Sequence, residues 1–252
     1  MMKRMKKWIS LALAFGCLSM TACMPQTEAP KVLKIGYTHY EPMNYMDEKQ
    51  GMLMGFDTEF ARKVCDDLGY TAEFVEIIWE NKVRDLEVGT IDCIWNGMSI
   101  TDELQEKILV SEPYLANRQV AVVPKTDQQE SVSVLDFEAI AFENGGVAED
   151  LLVRANLPYS VQRQAATQSA ALAEVLAGNV KMALVDYIMA KCLVGKGVYK
   201  DLSFVEIEES KTELFGIGFR KEDSELCQSV NELIRQYQAD GTFAAWETKY
   251  LG

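Results

Sequence analysis

The sequence predicts an α/β protein built as two doubly wound lobes, and three observations carry that expectation. Short apolar runs alternate with amphipathic stretches in the order β-loop-α-β-α-β between residues 32 and 95, the pattern of a mostly parallel sheet with helices against it. The same plan returns after residue 119. Within the two halves, Leu86-x-x-Gly89-x-Ile91 and Val175-x-x-Gly178-x-Val180 agree in spacing, and each leads into a short apolar run. Two such lobes face their strand ends into one cleft, and clefts between domains are preferred ligand sites.

The elements come in order along the chain. Residues 32–36 read as the first strand, 37–45 as a polar, aromatic loop broken by Pro42, and 47–51 as a turn. Phe56, Phe60, Val64 and Leu68 recur every fourth residue beside Ala61 and Cys65, which predicts a helix with one buried face, stopped by Gly69. A strand over 71–75 and a helix over 81–88, closed by Gly89, come next. In the second half, 119–123 is a strand ended by Pro124, 139–142 a strand running into Glu143-Asn144-Gly145-Gly146, and 147–155 a helix. Residues 170–177 are a helix, 180–185 a strand ending at Asp186, 214–220 a strand, 224–238 an amphipathic helix, and a short helix closes the chain.

The joint at 91–104 draws the most attention. Ile91-Asp92-Cys93-Ile94-Trp95 reads as a buried strand between Gly89 and an Asn96-Gly97 break, and Thr101-Asp102-Glu103 opens a helix. At a strand–loop–helix joint in an open α/β sheet, polar side chains and free N–H groups converge where small ligands bind. The alternative is that Ile94 and Trp95 are core and Asn96-Gly97 is a plain turn.

At the N-terminus, Lys3, Arg4, Lys6 and Lys7 precede an apolar run over 8–20 and the small residues Thr21-Ala22, which is a secretory signal over 1–22. Met20-Thr21-Ala22-Cys23 resembles a lipobox, making Cys23 the lipidated first residue of the exported protein; ordinary secretion with a free Cys23 is the alternative. Residues 23–30 suit a tether. The chain is therefore expected at the extracytoplasmic face of a bacterial cell membrane, in contact with lipid only through its anchor.

Loss of the signal's four basic residues takes a net charge of −13 four units further negative, which argues against nucleic acid as a partner. Cys65, Cys93, Cys192 and Cys227 are dispersed without a C-x-x-C spacing, so neither a metal site nor a cofactor is expected; Cys65 and Cys93 fall on apolar faces. A Cys192–Cys227 disulfide has no support in the spacing.

Gly55-Phe56-Asp57, Gly89-Thr90-Ile91-Asp92, Asn96-Gly97-Met98-Ser99-Ile100-Thr101, Ser111-Glu112-Pro113-Tyr114, Gln119-Val120-Ala121-Val122, Asp186 and Gly218-Phe219-Arg220-Lys221 occur in an order that resembles the family 3 extracellular solute-binding proteins. The resemblance covers essentially the whole mature chain. It implies a type II periplasmic-binding-protein-like fold, with lobe 1 from 31–117 and 212–252, lobe 2 from 118–211, and two crossover strands near Arg118 and Leu214. It further implies a monomeric amino-acid receptor of an ABC importer, closing over its ligand and recognised by the permease subunits.

Carried over by position, the resemblance implies that the ring covering the ligand is Tyr40 or Tyr45, with Trp79 a third candidate. Asn96, Gly97 and Ser99 supply polar groups, and Asp186 receives the ligand's α-ammonium; the alternative for Asp186 is a cap on the helix after it. Two positions depart from the pattern. The family's carboxylate-clamping Arg falls at Leu104, which donates nothing, and a usual hydroxyl in lobe 2 falls at Gly146. Gly145, Gly146 and the helix opening behind them would then hold an anion through backbone N–H groups, with Arg118 as the relocated cation. The ligand is either an amino acid held in this way or an amine whose carboxylate is masked or absent. The rival readings are a dehydratase-like enzyme on the same fold, for which His39, Glu41 and Glu143 offer no paired arrangement, and a surface solute sensor.

Overall fold

The computed structural model describes residues 31–252; the expected signal segment, Cys23 and the tether lie outside the described residues. The chain opens with β1 (Lys31–Tyr37), a hairpin of β2 (Tyr45–Asp47) and β3 (Met52–Met54), α1 (Phe56–Leu68), β4 (Tyr70–Glu76), α2 (Lys82–Glu87) and β5 (Cys93–Ser99). Then come α3 (Asp102–Lys107), β6 (Leu109–Val110) and the long β7 (Leu115–Pro124). The second half contains β8 (Ser131–Val132), β9 (Ile140–Glu143), α4 (Val147–Arg154), β10 (Gln162–Ala165), α5 (Gln168–Leu176), β11 (Met182–Asp186), α6 (Tyr187–Leu193) and β12 (Leu202–Ile207). The chain ends with β13 (Thr212–Phe219), α7 (Ser224–Ala239) and α8 (Thr242–Tyr250).

The main strand order is β10-β9-β11-β7-β13-β5-β1-β4. β1, β4 and β5 are mutually parallel at one end, and β9, β10 and β11 at the other. Between them run β7 and β13, antiparallel to each other. β7 changes partner along its length: residues 115–118 pair with β13 and residues 119–122 with β11. One strand thus joins the two parallel groups, at the crossover expected near Arg118.

The predicted face of α1 is buried, with Phe56, Phe60, Val64 and Cys65 at or below 1% exposure. Phe60 packs edge-on to Trp95 at 4.6 Å and to Phe243 of α8 at 4.9 Å, so the C-terminal helices return to cover the first sheet. Truncating a side chain so enclosed to Ala costs about 3–5 kcal/mol. The second sheet has its own apolar layer around Val123, Phe142, Leu152 and Leu184.

Three expectations change. Asn96-Gly97 is not a break: β5 runs through it to Ser99 with all seven residues buried, because β13 pairs alongside with an irregularity between Gly216 and Gly218. Gly97 has φ +59°, and a Cβ there would lie 2.7 Å from the Tyr40 ring, so the strand continues only because the residue is glycine. The 37–54 region contains the β2–β3 hairpin, whose three-residue strands are too short for a period-2 signal. Strands β10 and β12 are likewise additions to the elements expected from sequence. All four cysteines in the described region are free, with Cys65 and Cys93 buried in the core.

Candidate functional site

The ends of β5, β9 and β11 and the middle of β7 meet at a cavity of about 330 Å³, closed on one side by Tyr40, Trp79 and Leu104 and on the other by Gly145, Gly146 and Gln168. Of the residues singled out from sequence, Tyr40, Trp79, Asn96, Gly97, Ser99, Gly145, Gly146 and Asp186 line it. Tyr45 and Arg118 do not.

Asp186 ends β11 and is 4% exposed. Its Oδ1 accepts from Asn117 Nδ2 and Gln119 Nε2, each at 2.6 Å, and its Oδ2 from Gln168 Nε2 at 2.6 Å. Gln168 Oε1 in turn accepts the Asp186 backbone N–H at 2.8 Å. The carboxylate is thus aimed by three amides on β7 and α5, and it makes no side-chain cap to α6, which removes the capping alternative. Burial raises its pKa against the lowering effect of these donors. The buried Tyr40 hydroxyl lies beside it without a completed hydrogen bond. Behind Asp186, Glu213 accepts from Ser99 Oγ at 2.7 Å, and burial followed by the Asp186 charge pushes it up to about 7.

Lys82, beside Trp79, and Glu143, at the end of β9, are both under 9% exposed and both line the cavity. Lys82 Nζ donates to Gly145 O at 2.7 Å and lies 4.6 Å from the centre of the Trp79 ring. Burial lowers its pKa to about 8. Glu143 is pushed up to about 8, first by burial and then by the Asp186 charge. Lys82 is not among the residues expected from sequence. A signal for it exists, since Trp79, Lys82 and Leu86 fall at i, i+3 and i+7 on one helical face, and all three are buried.

The polar groups of 96–99 are already engaged. Asn96 Nδ2 donates to Thr38 Oγ1 at 2.7 Å, and its Oδ1 accepts from Asn44 at 2.8 Å, pinning the 38–44 loop. Gly97 N–H donates to Asp57 Oδ2 at 2.7 Å. These residues shape the wall, and Ser99 holds Glu213.

The expectation for Arg118 is corrected. Its guanidinium forms two hydrogen bonds to Glu206, at 2.9 and 2.6 Å, and lies 3.7 Å from the centre of the Tyr187 ring, away from the cavity. Tyr45 is held in β2 by its pairing with β3, half-buried against the core, and does not line the cavity. His39 is outside the site, 3.7 Å from Glu76.

The model of the bacterial extracellular solute-binding proteins, family 3, matches residues 33–252. The histidine-binding periplasmic protein of Salmonella typhimurium is 28% identical over 261 residues, spanning 99% of this chain and 97% of its own length. An ABC uptake transporter substrate-binding protein from Streptococcus pneumoniae, solved with bound histidine, superposes with a TM-score of 0.80 at 28% identity, covering 88% of this chain and 92% of that one. An ancestral amino acid-binding protein, described as a precursor of cyclohexadienyl dehydratase, superposes with a TM-score of 0.79 at 26% identity, covering 88% and 96%. The fold is the type II periplasmic-binding-protein fold.

Proposed function

The chain belongs to family 3 of the bacterial extracellular solute-binding proteins, and on that premise we propose that it is the substrate-binding component of an ABC importer, taking up an amino acid. The observation that carries this reading is Asp186, a buried carboxylate at a strand end, oriented by three side-chain amides and facing a cavity of about 330 Å³. A group so placed suits an ammonium, and the volume lies at the small end of the ligand-pocket range. The relatives' names, which concern histidine and other amino acids, support the same class.

In this reading residues 31–117 with 212–252 form one lobe and 118–211 the other, hinged where β7 exchanges β13 for β11. Closure excludes water from Asp186 and strengthens its contact with the ligand. The permease subunits recognise the closed monomer. Residues 1–22 act as the export signal and Cys23 carries the lipid, which the sequence at that position supports. Among the described residues no helix is long and apolar enough to cross a membrane.

The ligand is bound and released unchanged, although one structural neighbour precedes a dehydratase. Calorimetry and thermal shift of the mature protein against the twenty amino acids, their α-amides and short amines test the proposal. Saturable binding of an amino acid or close analogue, recovered chemically intact, is the expected result. Absence of binding across the panel, or product formation, rejects it.

A further inference from the structure

We propose that Lys82 receives the ligand's carboxylate, together with the Trp79 indole N–H and the first N–H groups of α4, in place of the guanidinium that Leu104 cannot supply. The inference rests on the amino-acid reading of the cavity and extends it by naming the anion-binding end.

An amino acid brings a carboxylate as well as an ammonium, and a carboxylate taken out of water needs a cation or several N–H donors. Two lysines line the cavity among the described residues. Lys107 is half-exposed and already 2.6 Å from Glu103, as a helix-surface pair. Lys82 is 7% exposed and, among the described residues, does not pair with a carboxylate. Its one close partner is the Gly145 carbonyl at 2.7 Å; the Trp79 carbonyl is at 3.4 Å, which leaves ammonium hydrogens for a ligand.

A second feature points to the same spot independently. Trp79 is 6% exposed, lines the cavity, and makes no hydrogen bond through its indole Nε1 to any of the described residues. That nitrogen lies 4.0 Å from where a Cβ on Gly146 would stand, so it borders the opening of α4. Gly146 is the N-cap of that helix and brings no side chain, while Val147 and Ala148 behind it line the cavity. Ammonium, indole N–H and helix N–H groups therefore converge.

The acids around Lys82 are Glu143 of β9, Asp150 of α4 and Glu103 of α3, with Lys107 of α3 opposing them. Glu143 borders the opening of α4, its Oε2 lying 3.9 Å from where a Cβ on Gly146 would stand. Burial and the Asp186 charge push its pKa up to about 8, which weakens its repulsion of a carboxylate bound there. Asp186 and Lys82 thus line one cavity, and the charges of both act on Glu143.

The test uses the mature protein and each L-amino acid that it binds, set against the matching α-amide. Wild type is expected to prefer the acid, and Lys82→Gln to lose about thirtyfold for the acid but less than about threefold for the amide. Adding Leu104→Arg to Lys82→Gln is expected to restore acid binding by about tenfold or more. Equal losses for acid and amide make Lys82 only a bridge to Gly145 and overturn the inference, as does unchanged acid affinity. If Lys82→Gln fails to give a cooperative melt, the wild-type comparison decides: amides bound as tightly as acids overturn it. Wild type binding neither acids nor amides instead rejects the amino-acid reading itself.

Discussion

Asp57 Oδ2 accepts the Gly97 backbone N–H at 2.7 Å and the Tyr114 hydroxyl at 3.0 Å, tying the first turn of α1 to the middle of β5. The contact fixes the wall of the cavity from below, because Gly97 is the point where β5 passes under the Tyr40 ring. Asp57 is fully buried, its Oδ1 has no partner, and burial pushes its pKa up to about 7. Asp57→Ala is expected to destabilise the protein by about 1–3 kcal/mol, since it leaves the Gly97 N–H without an acceptor. Asp57→Asn keeps an acceptor oxygen and replaces the orphan by an amide. Urea unfolding at pH 8 should therefore rank Ala well below Asn, and equal loss in both would show that the accepted hydrogen bond is not what matters.

Stability should fall as pH rises from 5 to 8. Asp57, Glu143 and Glu213 have folded pKa values raised to about 7, 8 and 7. A group raised in this way gives its full contribution below its unfolded value, near 4, and loses it as pH climbs through the folded value. Lys82, lowered to about 8, acts in the opposite sense between pH 8 and its unfolded value near 10. Thermal melts of the ligand-free protein at constant ionic strength measure this; a melting temperature rising steadily from pH 5 to 8 would contradict it.

Asp186→Asn should abolish tight binding while leaving a folded protein. Truncating one side of a buried charged hydrogen bond costs about 2–5 kcal/mol, or thirtyfold and more in affinity. Calorimetry with the free amino acid and its N-acetyl derivative provides the check. The derivative, lacking an ammonium, should bind wild type and variant equally weakly.

Arg118→Ala should change ligand affinity less than about twofold, because a solvent-facing pair with Glu206 is worth only about 0–1 kcal/mol and does not reach the cavity. A tenfold loss in a binding assay would return Arg118 to the site.

Gly145→Ala should weaken binding, and should destabilise the ligand-free protein by only about 1–2 kcal/mol, the cost of a left-handed alanine. Gly145 has φ +72°, and a Cβ there would lie 2.8 Å from the Glu80 Cα, which belongs to the opposite side of the cavity. The clash is with backbone, so the two sides must separate for it to be relieved. Small-angle scattering with saturating ligand should show the variant more open than wild type.

Sequence alone established the alternation of strands and helices, the buried face of α1, the family resemblance, and Asp186 at the end of its strand. These are local or periodic properties, carried by residues close together in the chain. It mistook Asn96-Gly97 for a break, because the partner that keeps β5 extended, β13, comes more than a hundred residues later. Only the tertiary structure decided which charges face the cavity. In β7, successive side chains point to opposite faces, so Gln119 and Asn117 reach Asp186 while Arg118 between them turns to Glu206. Lys82 faces the cavity because Trp79 and Leu86, on the same helical face, are drawn into the core, and the chain crosses over to meet it at Gly145. A side chain's direction is fixed by the pairing and packing of its element, and those partners are distant in sequence.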